Sequence, residues 1–221
     1  MLNRIKAILS ENGYFMYTRP YELNIVGIRN VQTKSNRFDD EIHVFYRTES
    51  RIPHWEYHVF RCTTDPGTYW LRNPAYTQGT AILAQGQYMD AYQIGLHRGQ
   101  YEALIQRLPV KVLRDYDRNA TLDFLNGKAV IGNFGINIHR ASAKGTTAYI
   151  DRYSAGCQVF ARAGDFATFM GLCRKHRQRY GNVFTYTLLD LRAIRRVTLK
   201  RIVLASLAVI AGTSLYKRRY N

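Results

Sequence analysis

The chain has 221 residues, 46% hydrophobic and 22% charged, enough apolar material to bury a core and to exclude disorder throughout. Lys and Arg number 32 against 16 Asp and Glu, a net charge of +16, so an anionic partner is expected: nucleic acid, anionic lipid, or a bacterial wall rich in carboxylate and phosphate. The cysteines, Cys62, Cys157 and Cys173, are odd in number and form no Cys-x-x-Cys pair, which argues against a disulfide framework and a zinc knuckle.

Residues 1–20 read as an N-terminal arm. MLNRIKAILSENGYF has a basic flank but only a brief, interrupted apolar run and no small-residue cleavage site, which predicts a short amphipathic helix and no secretory signal. Residues 21–190 form the main domain and are mostly strand. Strands are predicted over 21–28, 41–47, 55–64, 68–71, 91–97, 101–115, 129–141 and 182–190, all rich in β-branched and aromatic residues. Turn signals separate them at Asn36 to Asp40, Asp65-Pro66-Gly67, Gln85-Gly86-Gln87, Arg98-Gly99, Asp117 to Asn119 and Asn126-Gly127. Many short strands with regular turns predict a mainly β (α+β) sandwich or barrel. One accessory helix is predicted in AGDFATFMGLCRKHRQRYG, where Phe166, Phe169, Met170 and Cys173 recur at helical spacing ahead of a basic last turn and Gly181.

Residues 191–221 differ in kind. From Arg192 onward there are eight Lys or Arg and no acid, and residues 202–216, IVLASLAVIAGTSLY, carry no charge. As a helix this run rises only about 22 Å against roughly 30 Å of hydrocarbon, but Lys200, Arg201, Lys217, Arg218 and Arg219 have side chains long enough to snorkel to the two interfaces. A short C-terminal hydrophobic helix serving as membrane anchor is expected; the alternative is a helix packed on another protein.

Several residues suggest chemistry only weakly. Cys173 falls on the apolar helix face and reads as a core thiol, and Cys62, which alternates with Phe60 and Thr64 along a strand, reads as core or sheet surface. The basic run Arg174 to Arg179 suits the solvated end of a helix, where cations oppose the dipole. Seventeen tyrosines suit a carbohydrate or base-stacking surface, and equally a sheet with one wet side. Asp115-x-Asp117-x-Asn119 begins like a calcium loop, but Ala120 and Asn126 stand where the glycine and the final acid belong. His54 and His58, four apart on a strand, lie too far from each other to share a metal. No metal or cofactor is expected.

INIHRASAKGTTAYIDRYSAGCQVF, residues 136–160, carries more. Alternation puts Phe134, Ile136 and Ile138 on one face and Gly135, Asn137 and His139 on the other. Ser154-Ala155-Gly156-Cys157 is a small-residue turn entering the apolar Gln158-Val159-Phe160, a setting that can hold a thiol at a strand start with amide donors nearby. Here the chain resembles the L,D-transpeptidase catalytic domain, which modifies peptidoglycan stem peptides. Ile138-His139 matches that family's Ile-His strand end. Ser154, Gly156 and Cys157 match its Ser/Thr-His-Gly-Cys box at a fitting distance, and Thr64-Asp65-Pro66-Gly67-Thr68-Tyr69 is similar to its Thr-Pro-x-Gly-x-Tyr/Phe hairpin. Ala155 stands where the family has histidine, and Val159 where it has arginine or asparagine.

The resemblance covers roughly Arg61 to Phe160 and implies a β-sandwich with an accessory helix. It assigns Cys157 as nucleophile and His139 as base, with amides at Gly156 and Cys157 as oxyanion donors. Ser154, Asn137, Arg140 and Arg98 are expected to line the substrate site, an arginine supplying the cation that Val159 does not. The substrate implied is a stem-peptide amide and the intermediate a thioester, hydrolysed or passed to an amine. Such a chain looks phage-encoded, carried in a virion or on a membrane to attack the cell wall. The alternative is a non-enzymatic virion component whose basic C-terminus holds lipid or nucleic acid. A catalytic Cys157 is expected to ionise below about 8.5 and to alkylate ahead of Cys62 and Cys173.

Overall fold

The computed structural model describes residues 1–124 and 128–191. The predicted anchor, 202–216, and the Asn126-Gly127 turn lie outside the described residues. No helix among the described residues is long and apolar enough to cross a membrane. The described chain falls into two compact units, one containing residues 1–16 and the other residues 17–190. In the first, the expected amphipathic helix is α1, Leu2–Glu11, with Ile5, Ile8 and Leu9 buried.

The second unit is mainly β. In chain order its strands are β1 (Asn24–Arg29), β2 (Asp40–Arg47), β3 (Trp55–Thr63), β4 (Thr80–Leu83), β5 (Gly86–His97), β6 (Tyr101–Gln106), β7 (Val110–Asp115), β8 (Lys128–Gly132), β9 (Ile138–Arg140), β10 (Gln158–Phe160) and β11 (Phe184–Asp190). Its helices are α2 (Thr68–Arg72) and α3 (Ala163–Tyr180). Eight strands close into a barrel in the order β1-β11-β5-β6-β9-β10-β3-β2, and β4-β7-β8 form a separate three-stranded sheet. Of the sandwich and the barrel that the strand pattern left open, the structure has a barrel with a small separate sheet, in place of the sandwich that the resemblance implied. Closure depends on two parallel pairings, β1 with β11 and β9 with β10, which join strands remote in sequence. Local alternation carries no information about either.

Other expectations changed at strand ends. TYWL, read as strand, is the short helix α2, because Gly67 starts a helical turn there. The segment 101–115 breaks around Pro109 into β6 and β7, proline having no N–H for a ladder, and 129–141 breaks into β8 and β9. β4 was not signalled at all; its Thr-Ala-Ile-Leu is too short to show a period. α3 occupies the predicted residues. Its Phe166 and Phe169 rings join those of Phe60 and Phe160, with Phe160 and Phe169 centroids 4.9 Å apart. His176 interrupts the predicted solvated basic end: it is buried, accepting from the Leu23 N–H through Nδ1 and donating from Nε2 to the Val183 carbonyl. Arg174 and Arg179 are exposed and pair with Glu102 and Glu49.

Inside the barrel a polar chain crosses from one wall to the other. The Tyr186 hydroxyl donates to Gln158 Oε1 at 2.9 Å, and Gln158 Nε2 donates to the Gly156 carbonyl at 3.2 Å. Gly27 makes room for that tyrosine, since a Cβ there would overlap the Tyr186 hydroxyl. At the ends of β1, β2 and β3, buried Arg29 pairs with Asp65 at 2.7 Å and donates to the carbonyls of Thr64 and Leu83. Buried Asp40 accepts from the Asn30 N–H and from both the N–H and the hydroxyl of Thr64. One guanidinium thus serves two buried carboxyls, and burial together with Asp65 pushes the Asp40 pKa up to about 8.

Candidate functional site

The parallel β9–β10 pair sets the site. Val159 lies opposite His139 and Gln158 opposite Ile138, and the Gln158 N–H donates to the Asn137 carbonyl at 2.8 Å. Opposite residues in a parallel pair share a face, so Cys157, Val159, Asn137 and His139 stand together, on the side away from Ile138 and Phe160 in the main core. The predicted alternation is what the structure has. With Cys157 two residues along from Val159, a separation of about 8 Å between the backbones of His139 and Cys157 follows from strand rise and spacing.

Cys157 keeps part of its surface exposed, whereas Cys62 and Cys173 are fully buried. Its Sγ donates to the Gly135 carbonyl at 3.4 Å and accepts from the Asn137 N–H at 3.4 Å. Desolvation pushes the thiol up to about 11, against the lowering influence of that N–H and of Arg98. The thiolate expected below 8.5 is therefore not the resting state: the proton sits on sulfur.

His139 is buried, 4% exposed. Its Nδ1 lies 2.8 Å from the Arg140 carbonyl, which can only accept, so Nδ1 carries the proton and Nε2 the lone pair. His97 stacks on it with ring centroids 4.1 Å apart. Burial, then His97, lowers the His139 pKa to about 3, which keeps the imidazole neutral. No hydrogen bond joins His139 to Cys157; the contacts of Sγ are with backbone.

The remaining predicted residues divide. Gly156 holds φ +119°, and a Cβ there would overlap the Ala81 carbonyl, so the turn requires glycine. Its N–H, expected as an oxyanion donor, is taken by Ser154 Oγ at 3.1 Å. Ser154 is fully buried and also donates to the Cys157 carbonyl at 2.8 Å, so it shapes the turn and does not face a substrate. Asn137 is likewise occupied: Oδ1 accepts from the Gln106 N–H, and Nδ2 donates to His97 Nδ1 at 3.2 Å. It links the cysteine to the stacked histidines. Arg140 lies over the Tyr101 ring at 4.2 Å. Arg98 is exposed in the turn after β5, and its charge reaches Cys157, His97 and His139. Of the two arginines it is the one electrostatically coupled to the thiol.

The departures from the family pattern have structural consequences. Val159 is fully buried with Phe38, Ile150 and Ala161, a position that holds no cation. Ala155 lines a cavity of about 370 Å³ together with Ala81, Phe134 and Arg114. The Thr64 to Tyr69 box is not a hairpin but the entry to α2; the Gly67 N–H donates to the Ser154 carbonyl at 2.9 Å and fastens the box to the cysteine turn.

His97 ends a strand before the Arg98-Gly99 turn, which reads most simply as a polar strand end and alternatively as a lining of the same cleft; the structure stacks it on His139. Arg114 had a signal: in VKVLRD it shares the period-two face of buried Val110 and Val112. Asp115, Asp117 and Asn119 cap backbone N–H groups of Asp123, Asn119 and Thr121, an Asx-rich turn. No group of three His, Cys, Asp or Glu among the described residues is placed to hold a metal. Comparison with protein-family models, with curated proteins and with solved structures found no match in any of the three.

Proposed function

We propose that this chain is a cysteine-dependent peptidoglycan peptidase or transpeptidase of the L,D-transpeptidase type. The observation that carries the reading is the parallel register of β9 and β10, which sets Cys157 and a histidine of fixed tautomer on one face. In the reaction, Cys157 Sγ attacks a stem-peptide amide carbonyl while its proton passes to the lone pair on His139 Nε2. The C–N bond then breaks, the imidazolium returns the proton to the leaving amine, and a thioester remains for water or an acceptor amine. A thiol this high and an imidazole this low make a standing thiolate–imidazolium pair unfavourable, so proton transfer accompanies attack. The substrate carbonyl must displace the Sγ contact with Gly135. The Cys157 N–H is the turn amide left for the oxyanion, since Ser154 Oγ occupies that of Gly156.

The uncharged, apolar segment 202–216, with its basic flanks, is proposed to hold the enzyme at a membrane, in a phage particle or beside the wall it attacks. Flotation with anionic liposomes, with and without residues 200–221, tests this; full-length protein that stays unbound overturns it. The decisive experiment on the chemistry is digestion of purified sacculi by full-length protein, by Cys157→Ala and by His139→Ala. Clearing by the wild type that both variants lose is expected; unchanged clearing in either ends the mechanism. One observation favours the rival reading of a non-enzymatic virion component: the resting Sγ is engaged by backbone alone. Folded wild-type protein without clearing would support that rival.

A further inference from the structure

Arg114 is a buried cation without a counter-charge among the described residues. Only 7% of the residue is exposed; Nη1 donates to the Gly79 carbonyl at 3.1 Å, and Nε has no hydrogen-bond partner. No carboxylate among the described residues pairs with it. The guanidinium lies 4.8 Å from the centroid of Phe134 and 5.9 Å from that of Tyr76, contacts that hold it in place and offset part of its desolvation. A charge buried this way is costly unless an anion completes it. The space for one is present, since Arg114 lines the cavity of about 370 Å³ beside the cysteine turn.

The cavity shares two backbone segments with the nucleophile. Ala155 is two residues before Cys157, and Phe134 precedes Gly135, whose carbonyl receives the Sγ proton. Its wall combines the rings of Trp70, Tyr76 and Phe134 with the amides of Gln78 and Asn133. One guanidinium suits the single charge and planar fork of a carboxylate better than a phosphate dianion, and side-chain amides suit a peptide backbone.

We infer that this cavity receives the free C-terminal carboxylate of a peptide substrate, held by Arg114, next to the amide that Cys157 attacks. The inference rests on the proposed role of Cys157 and assigns the missing substrate cation to a strand outside the resemblance's cysteine box.

The test uses full-length Cys157→Ala protein, which cannot turn substrate over, in calorimetric titrations. The probes are a stem tetrapeptide with a free C-terminal carboxylate, the same peptide as its C-terminal amide, and inorganic phosphate. The acid is expected to bind at least about tenfold more tightly than the amide, the order of one charge-assisted contact. Adding Arg114→Met should abolish the difference, and Arg114→Lys should keep part of it. Equal binding of acid and amide overturns the inference, as does phosphate binding that the peptide does not displace. If Arg114→Met does not fold, the acid and amide pair on protein with Arg114 intact still decides. Acid and amide binding equally, while sacculus digestion needs Cys157, removes this subsite and leaves the proposed function. An Arg114-dependent preference in a protein that digests nothing supports the subsite and removes the function.

Discussion

Two walls of the same barrel are built in opposite ways. β2 and β3 pair residue for residue over the whole stretch from Asp40↔Cys62 to Arg47↔Trp55, an uninterrupted antiparallel ladder. β9 and β10 have three paired positions, run parallel, and join residues separated by a long loop. The second wall is held by side chains where the first is held by its ladder. Gln106 Oε1 accepts from the N–H groups of Phe134 and Ile136 while its Nε2 donates to the Gly132 carbonyl. Ser154, Gln158 and Gly67 fix the other strand's approach. A regular ladder leaves little freedom to aim a side chain. A short one, clamped from outside, can present a thiol and a histidine on one face, where His97 of β5 stacks on that histidine.

Removing one clamp at a time separates the two modes. Asp65→Ala should have the largest effect, about 3–5 kcal/mol in urea unfolding, because it removes the direct ion-pair partner of the buried Arg29 guanidinium where β1, β2 and β3 meet. A loss below about 1 kcal/mol would mean the pair does not anchor the long wall. Gly156→Ala should cost about 1–3 kcal/mol, since positive φ and a backbone oxygen both oppose a side chain. Its damage should be local, with amide exchange rising at residues 134–137 and 154–158 while β2 and β3 stay protected; uniform exchange would contradict the separation. Gln106→Ala should cost about 1–2 kcal/mol, the loss of several partly exposed hydrogen bonds.

The same contrast explains what could be read beforehand. β2 and β3 are runs rich in β-branched and aromatic residues between turn signals, and α3 buries one face at helical spacing, so their boundaries were legible within a few residues. So was the sidedness of His139 and Asn137. What was not legible depends on contacts between remote segments. The parallel β9–β10 pairing, the stacking of His97 on His139 and the capture of the Gly156 N–H by Ser154 have no local sequence period. The high resting pKa of Cys157 belongs here too, because it comes from the loops that cover the thiol.

Thiol chemistry examines the short wall without altering it. Cys157, the one partly exposed cysteine, should alkylate before Cys62 and Cys173, whose burial raises their pKa values further. Its rate should climb about tenfold per pH unit from 7 to 10 with no plateau near 8.5, because ionisation is pushed up to about 11. A plateau below pH 9 would show that the thiolate is stabilised in the resting protein. A stem peptide that displaces the Gly135 contact should change the rate at fixed pH.

The smallest expected effect is on stability against pH, and there the two walls pull in opposite directions. The folded pKa of Asp40 is about 8 against about 4 for the unfolded chain, so between these values the folded protein holds a proton the unfolded chain has released. This contribution favours folding at low pH and is lost as pH rises toward 8. His139, lowered to about 3 from an unfolded value near 6.5, works the other way: the unfolded chain binds the proton first, so stability is lost as pH falls below 6.5. The slopes oppose between about pH 4 and 6.5, and Asp40 acts without that opposition between about 6.5 and 8. The melting temperature should therefore drop by a few degrees across the upper window. Asp40→Asn should flatten that drop whatever it does to absolute stability, and His139→Gln should leave it in place while steepening the rise in stability as pH falls through the lower window. If Asp40→Asn left the upper slope unchanged, the titrating group would not lie in the long wall.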